Sequence, residues 1–220
     1  MLTLIDIVMK LIKILARKTP KWDVPIVTLV AETSNDPFKV LISTVLSLRT
    51  KDETTAGASK KLFKLADNPS DMLKLSEKEI IKAIYPVGFY KTKAKSIKSI
   101  CRDLISKYDS KVPDDIDELL KLNGVGRKTA NLVVTLGYNK PGICVDTHVH
   151  RISNRLGYIK TKTPDETETA LRKKLPKEHW IDYNSLLVSF GQHLCRPISP
   201  FCSQCPVIKL CDRVGVLKSR

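Results

Sequence analysis

Apolar residues recur every three or four positions along most of this chain, and this spacing restricts the chain to helices. Residues spaced in this way share one face of an α-helix, which packs against other helices. No sustained alternation of apolar and polar residues indicates a sheet, and the one strand-like run, Gly142–Val145, is short. The pattern therefore predicts an all-α fold of roughly ten helices. It is clearest in three groups: Leu41, Ile42, Val45, Leu46 and Leu48; Ile80, Ile81 and Ile84; and Ile97, Ile100, Leu104 and Ile105.

The charge balance indicates a polyanionic partner. The 220 residues include 38 Lys and Arg against 23 Asp and Glu, a formal net charge of +15. A solvated surface explains a small excess, but one this large is typical of proteins that bind nucleic acid. A membrane surface or an acidic protein remains an alternative at this point. The length suits one large domain or two small ones, each with a buried core.

The N-terminal segment is apolar but carries Asp6, Lys10 and Lys13 within its apolar stretch. A signal peptide has its positive charge first and an uninterrupted apolar stretch after it. A membrane-spanning helix needs about 20 mostly uncharged residues. The segment fits neither pattern, so we expect an amphipathic helix packed on the protein, no membrane partner and a cytoplasmic location.

Four of the six cysteines, Cys195, Cys202, Cys205 and Cys211, lie within 17 residues near the C-terminus. Without an export signal a disulfide framework is not expected. Four soft thiolates suit either an iron–sulfur cluster or a structural zinc. Zinc sites of four cysteines more often contain two Cys-x2-Cys pairs, and this segment has one. The other two cysteines, expected to be buried thiols, are Cys101 and Cys144.

A glycine-containing turn at 122–128 predicts a helix-hairpin-helix motif. Gly124 and Gly126 allow a tight turn with positive φ between a helix that ends at Leu122 and one that begins near Arg127. The first turn of the second helix has unpaired N–H groups, and glycines allow a phosphate to approach them closely. Such a motif holds one DNA phosphate without reading a base. The alternative is a plain turn between two packed helices, which the adjoining Arg127 and Lys128 make less favourable.

Lys128 is a candidate nucleophile. On the second helix, most apolar residues fall on the face opposite Lys128, so the lysine emerges from the first turn of a largely buried helix. Burial and the helix N-terminus both disfavour the ammonium, so we expect a lowered pKa and more of the neutral, nucleophilic amine. The alternative is a lysine that only binds phosphate.

These motifs together resemble one protein family. The sequence Leu-Asn-Gly-Val-Gly-Arg-Lys-Thr-Ala at 122–130 is followed by Val-Asp-Thr-His-Val-His-Arg at 145–151 and by the cysteine spacing Cys-x6-Cys-x2-Cys-x5-Cys. In this order the three motifs are similar to those of endonuclease III, in the helix-hairpin-helix glycosylase superfamily. The resemblance extends from about Pro37 to Cys211, and the combination of motifs is highly specific.

The resemblance implies a bifunctional DNA glycosylase and AP lyase of base excision repair. Lys128 stands where the family has its nucleophile, which attacks the sugar C1′ of an extruded nucleotide, forms a Schiff base and leads to β-elimination 3′ to the lesion. Asp146 stands where the family has its essential carboxylate. Taken alone, Asp146 before Thr147 is more typical of a helix N-cap, and one residue can do both. Relatives that excise mismatched bases usually carry serine or tyrosine at the lysine position, so the lysine favours a lyase.

Two segments resemble the family's helix-opening loops. Arg49 stands where the family commonly has a glutamine that plugs the space of the extruded nucleotide. Phe89 stands where an apolar wedge is frequent, although core packing is an alternative for Phe89. The following segment, 91–98, has four lysines in eight residues, which predicts either phosphate contacts or a solvated helix face.

By the same resemblance the four cysteines hold a [4Fe–4S] cluster, and the loop that begins at Arg196 is folded against DNA. Arg196 is the one basic residue of that loop, fewer than the family typically has. Asn123 replaces a proline that often precedes the glycine turn, and asparagine tolerates unusual φ values. His148 and His150 do not share a helix face, so we interpret them as hydrogen-bonding residues at a helix start rather than a metal pair.

The resemblance also implies an organisation and a substrate. Two helical domains, residues 28–140 and the combination of 1–27 with 141–220, are expected to flank a DNA cleft, with Lys128 and Asp146 facing each other across the junction. The expected partner is duplex DNA with oxidised pyrimidines or abasic sites, bound by a monomer at the nucleoid. The alternatives are a mismatch or oxidised-purine glycosylase of the same superfamily and a non-catalytic DNA-binding protein.

Overall fold

The structure of the chain is a computed structural model that describes residues 4–18 and 25–220. In these ranges there are twelve α-helices and no β-strand, which confirms the all-α class and exceeds the predicted number of helices by about two. The helices are α1 (Leu4–Lys18), α2 (Ile26–Ser34), α3 (Pro37–Ser47), α4 (Asp52–Leu65), α5 (Pro69–Lys74), α6 (Glu77–Ile84), α7 (Tyr90–Lys107), α8 (Ile116–Leu120), α9 (Arg127–Leu132), α10 (Thr147–Arg155), α11 (Pro164–Lys174) and α12 (Trp180–His193).

The chain divides into two compact units. The hairpin unit consists of Ile26–Gly142 and contains α2 to α9. The cysteine unit combines the segment up to Pro25 with Ile143–Arg220 and contains α1 and α10 to α12. The hairpin unit begins at residue 26 where the sequence predicts 28, and it ends at 142 where the sequence predicts 140.

Helix α3 lies at the centre of the hairpin unit. Every residue from Val40 to Leu46 is buried, including the polar Ser43 and Thr44. A helix buried on all sides needs neighbours on all sides. One neighbour is α7, which contributes Ile97, Ile100 and Leu104 to the same core. The functional loops after α3 and before α7 are therefore anchored to the most buried part of this unit.

Three helices begin with the same local signal, a capping side chain followed by proline. The pairs are Asp36–Pro37, Asn68–Pro69 and Thr163–Pro164. Each capping side chain accepts a hydrogen bond from a backbone N–H of the first turn, and proline fits the first helical position because its missing N–H would have no partner there. Helix α8 is also capped by a side chain, since Asp115 accepts from the N–H groups of Asp117 and Glu118.

Helix α1 belongs to the core of the cysteine unit. Its buried face consists of Val8, Leu11, Ile12 and Leu15, which pack with apolar residues of α10 and α12. Asp6, Lys10 and Lys13 lie on the exposed face. The predicted amphipathic helix is confirmed for residues 4–18, while the first three residues lie outside the described ranges.

The strand-like run Gly142–Val145 is not a strand, since residues 139–146 have no regular structure. Its apolar character has another cause, because Ile143, Cys144 and Val145 are buried where the chain passes from one unit into the other. In place of a neighbouring strand, the Asn184 side-chain amide donates to the Cys144 carbonyl over 3.1 Å.

The two isolated cysteines, Cys101 and Cys144, are buried as predicted. Burial raises the pKa of the Cys101 thiol to about 12, so it stays protonated at neutral pH. In the part of the chain that the structure describes, no helix is long and apolar enough to cross a membrane.

Candidate functional site

The turn between α8 and α9 has the hairpin geometry that the sequence predicts. Gly124 has φ +84°, a left-handed value that favours glycine. A Cβ at Gly124 would lie 3.0 Å from the Ser96 hydroxyl oxygen, so a side chain there would require Ser96 to move by a few tenths of an ångström. Val125 is buried, and its N–H donates to the Leu122 carbonyl over 3.1 Å. The turn is therefore fixed from both sides.

Gly126 differs from the prediction. Its φ of −99° and ψ of 175° are extended backbone that any residue adopts, so the expectation of positive φ is wrong at this position. A Cβ at Gly126 would meet no heavy atom within 4 Å beyond its immediate surroundings in the chain. The reason for glycine here is open access to the first turn of α9, where backbone N–H groups lack intrahelical acceptors.

Lys128 stands in the first turn of α9 and is half-buried. The next four residues, Thr129–Leu132, are all buried. This confirms the predicted orientation, in which the lysine emerges from a largely buried helix. The helix does not continue as regular α-helix, because Val133–Gly137 forms a π-helical turn. There the Thr135 hydroxyl donates to the Asn131 carbonyl over 2.8 Å, a bond that competes with the regular ladder.

Asp146 is the N-cap of α10. One of its carboxylate oxygens, Oδ1, accepts from the N–H groups of His148 and Val149, both over 2.9 Å. The N-cap interpretation is confirmed, and the carboxylate is half-buried rather than sequestered in the core.

The two histidines beside Asp146 serve as hydrogen-bonding residues, as predicted. His150 Nδ1 lies 2.7 Å from the Thr167 hydroxyl oxygen, and His148 Nδ1 lies 3.1 Å from an Arg151 guanidinium nitrogen. The two rings thus have different partners.

The structure brings together Arg49 and Phe89, the two residues predicted to enter the helix. The Arg49 guanidinium carbon lies 5.5 Å from the centroid of the Phe89 ring, a cation–π contact. Phe89 is 61% exposed, so the core-packing alternative is wrong. Both residues have left-handed backbones, with φ 52° for Arg49 and 58° for Phe89. Two non-glycine residues in this region, side by side and exposed, indicate a functional constraint.

Lys93 is a residue that the sequence interpretation missed. Of the four lysines at 91–98, Lys91 and Lys95 are exposed, but Lys93 is only 6% exposed and Lys98 is half-buried. The Lys93 ammonium donates to the carbonyls of Leu46 and Leu48. Burial lowers the pKa of Lys93 to about 8.

A signal for this burial existed in the sequence. Lys93 precedes the core residues Ile97, Ile100 and Leu104 by four, seven and eleven positions, the spacing of one helix face. A lysine on the apolar face of a helix is expected to point into the core. The lysine run as a whole is therefore neither a uniform phosphate-binding face nor a uniform solvated one.

The four clustered cysteines line one pocket at the end of α12, together with Ile152, Leu194, Phe201 and Val207. Burial raises the pKa of the Cys205 thiol to about 11 and raises that of Cys211. The side-chain set offers soft sulfur donors in an apolar surrounding, which fits an iron–sulfur group. Within residues 4–18 and 25–220, no three or more His, Cys, Asp or Glu residues are placed to hold a single metal ion.

The loop after Cys195 is held from inside by Arg155. This buried guanidinium donates to the carbonyls of Arg196 over 2.7 Å and Pro197 over 2.6 Å. Arg196 itself is exposed, and its guanidinium carbon lies 5.2 Å from the Phe201 ring centroid. The loop therefore has a fixed backbone and presents one cation at its surface.

Comparison with known proteins agrees with these motifs. Residues 42–177 match the HhH-GPD superfamily of base excision DNA repair proteins. Endonuclease III of Thermotoga maritima is 51% identical over 177 residues, which cover 80% of this chain and 83% of that protein.

Two solved structures of DNA complexes have the same fold. A non-covalent endonuclease III–DNA complex superimposes with a TM-score of 0.85 at 37% identity. A trapped covalent endonuclease III–DNA intermediate superimposes with a TM-score of 0.83 at 36% identity. Each comparison covers 97% of this chain and 97% of the matched chain.

The two hairpin glycines are expected to differ in their effect on stability. Gly124→Ala should lower the free energy of unfolding by about 1–2 kcal/mol, because a Cβ is strained at positive φ. Gly126→Ala should cost clearly less, because its backbone is already extended and the surrounding space is open. Urea denaturation of both variants measures the difference, and an equal or reversed order would contradict the geometry.

Proposed function

This chain belongs to the HhH-GPD superfamily and, within it, to the endonuclease III family, and on that premise we propose how its residues carry out the reaction. The protein is a bifunctional DNA glycosylase and AP lyase of base excision repair, and duplex DNA is its partner. The observation that carries the residue-level proposal is the position of Lys128, half-buried in the first turn of the helix that follows the glycine turn.

Lys128 acts as the nucleophile. Its amine, neutral when it reacts, attacks C1′ of the extruded nucleotide, and the bond from C1′ to the base nitrogen breaks with its electron pair leaving on the base. The sugar ring opens to give a Schiff base between Lys128 Nζ and C1′. Removal of a proton from C2′ then expels the 3′ phosphate oxygen, and water hydrolyses the Schiff base to release the enzyme.

Asp146 supplies the catalytic carboxylate. Its negative charge stabilises the positive charge that develops at C1′ and assists removal of a proton from the attacking amine. Because Oδ1 is engaged as the helix cap, the orientation of the carboxylate is set before substrate binds. A fixed carboxylate needs no reorganisation in the transition state, which is the advantage of combining the two roles.

The hairpin holds a DNA phosphate. The backbone N–H groups of Gly124 and Gly126 and the side chain of Arg127 supply donors, while Val125 holds the turn between them through its own N–H bond to Leu122. The open space at Gly126 allows a phosphate oxygen to approach. Arg196 adds a further phosphate contact from the cysteine loop. None of these contacts reads a base, so they contribute affinity rather than lesion preference.

Arg49 and Phe89 support the opened duplex. Phe89 enters the base stack as an apolar wedge, and Arg49 fills the space that the extruded nucleotide leaves. The cation–π contact of the two residues supports a joint role, because one approach to DNA carries both side chains.

Cys195, Cys202, Cys205 and Cys211 hold a [4Fe–4S] cluster. The shared pocket and the soft donor set support this proposal over four separate thiols, and the single Cys-x2-Cys pair favours the cluster over zinc. When bound, the cluster supplies a rigid link among distant points of the C-terminal segment. This chain's own part is to surround it with apolar residues and to hold the Arg196 loop through Arg155.

The preferred substrates are oxidised pyrimidines and abasic sites in duplex DNA. Lysine at position 128 supports a lyase over the mismatch glycosylases that carry serine or tyrosine there. The net charge of +15 supports binding to the phosphate backbone of DNA, and we place the activity at the nucleoid in the cytoplasm. A panel of duplexes with oxidised pyrimidines, oxidised purines and mismatches identifies the preferred lesion.

Lys128→Ala should abolish covalent capture of DNA. Borohydride reduces a Schiff base to a stable amine, so the wild-type protein should form an adduct with an abasic-site duplex and the variant should not. Lys107→Ala removes an exposed lysine that pairs with Asp103, far along α7, and should trap DNA like the wild type. An adduct that persists in Lys128→Ala would assign the nucleophile to another amine.

Asp146→Asn separates the two roles of Asp146. Asparagine is as good an N-cap as aspartate, so the thermal midpoint should change little. The charge is lost, so the single-turnover excision rate should fall by about 10²–10⁴-fold. Asp146→Ala should lower both quantities. Near-normal excision by Asp146→Asn would leave Asp146 with the capping role alone.

The purified protein should contain about four iron atoms per chain and absorb near 400 nm, as expected for a [4Fe–4S] cluster. Cys202→Ser should lose both signals, whereas Cys101→Ser should keep them because Cys101 lies in the core of the hairpin unit. Elemental analysis that finds zinc in place of iron would overturn the cluster assignment.

A further inference from the structure

We infer that Lys93 is a positioning residue for DNA opening, since its buried amine and the Thr50 hydroxyl join the loop that carries Arg49 to the loop that carries Phe89. The Arg49 loop comprises residues 48–51, and the Phe89 loop comprises residues 85–89. The inference rests on the proposed roles of Arg49 and Phe89 and adds the device that holds them together.

The Lys93 ammonium binds three acceptors, one in the last turn of α3 and two in the Arg49 loop. It donates to the Leu46 carbonyl over 2.8 Å, to the Leu48 carbonyl over 2.6 Å and to the Thr50 hydroxyl over 3.0 Å. These acceptors lie at and beyond the end of α3, where helix carbonyls have no intrahelical donor. An ammonium has three N–H donors, which matches the three acceptors. The amine thus closes the end of α3 and sets the path of the loop on either side of Arg49.

Thr50 extends this network to the Phe89 loop. The same hydroxyl oxygen accepts from the Gly88 N–H over 3.1 Å, directly before Phe89. The two loops also touch through their backbones, because a Cβ at Gly88 would lie 2.6 Å from the Arg49 carbonyl oxygen. Only glycine permits this approach. The Arg49 loop and the Phe89 loop are therefore connected through Lys93, Thr50 and Gly88.

The two loops require these hydrogen bonds because each contains a residue with a strained backbone. A left-handed backbone at a residue with a side chain costs about 1–2 kcal/mol, and Arg49 and Phe89 both adopt it. Strain of this kind persists only where the surroundings enforce it. Without the amine, the Leu46 carbonyl loses its donor and the Leu48 carbonyl keeps only the Thr50 hydroxyl, which donates to it over 3.2 Å, so the Arg49 loop gains conformations. Ordering that loop again would then oppose each opening of the duplex.

Lys98, on the same helix as Lys93, provides a matched control with a purely structural role. The Lys98 amine donates to the carbonyls of Leu73 and Leu75, at the end of α5, and its hydrogen bonds do not reach either loop. Lys93→Met and Lys98→Met each remove a half-buried or buried amine from the end of a helix. Both should lower the thermal midpoint, but only the first should affect DNA opening.

The test compares one lesion in two pairing states under single-turnover conditions. The substrates contain 5-hydroxycytosine paired with guanine or mispaired with adenine, since a mispaired base is easier to extrude. Lys93→Met should slow excision of the paired lesion about tenfold and of the mispaired lesion less than about threefold. Lys98→Met should slow both equally or neither. An equal loss for both substrates in Lys93→Met would overturn the proposal.

Thr50 provides a second route if Lys93→Met does not fold. Thr50→Val keeps the shape but removes the hydroxyl that joins the loops, and it should discriminate against the paired lesion in the same way. Thr50→Ser keeps the hydroxyl and should behave like the wild type. Equal behaviour of the two Thr50 variants would contradict the proposed link.

Arg49→Ala and Phe89→Ala separate a failure of this inference from a failure of the proposed function. If neither variant discriminates against the paired lesion, the loops do not open DNA, and both the loop roles and the inference fail. If they discriminate and the Lys93 and Thr50 variants do not, the loop roles stand and the positioning role of Lys93 is overturned.

Discussion

Helix ends leave backbone groups without partners, and the functional residues of this chain lie at those ends. In an α-helix the first N–H groups and the last carbonyls have no intrahelical partner. Here Gly126 leaves the first turn of α9 open, Asp146 closes the first turn of α10, and Lys93 closes the last turn of α3. In a chain whose described residues form no strand, these ends are the main source of directional polar groups.

The backbone groups at these three helix ends find different partners, and the difference matches the role of each end. The end at Gly126 is left accessible, which suits an external anion. The end at Asp146 is satisfied by a charged side chain, which also takes part in the proposed mechanism. The end of α3 is satisfied by a buried cation, which leaves nothing for DNA to bind but holds two loops in strained conformations.

The positive charge of the chain therefore has two uses. Exposed lysines and arginines contribute to attraction of DNA, which depends on salt and carries no sequence information. Buried cations such as Lys93 and Arg155 bind carbonyls of the chain itself and shape loops. Net charge indicates a polyanionic partner, but it overestimates the number of residues that touch it.

The sequence by itself determined the helical class, the hairpin turn at Gly124, the amphipathic α1 and the Asp146 cap, because these depend on periodicity, φ preference and neighbouring residues. Only the tertiary structure decided that Phe89 is exposed and contacts Arg49, that Gly126 is extended and open, and which acceptors the Lys93 amine binds. The contacts of Phe89 and Lys93 join residues roughly forty positions apart in sequence, as the bond between Thr50 and Gly88 does. Local sequence preferences determine where the helices form, whereas tertiary packing determines which of their polar side chains are exposed to DNA.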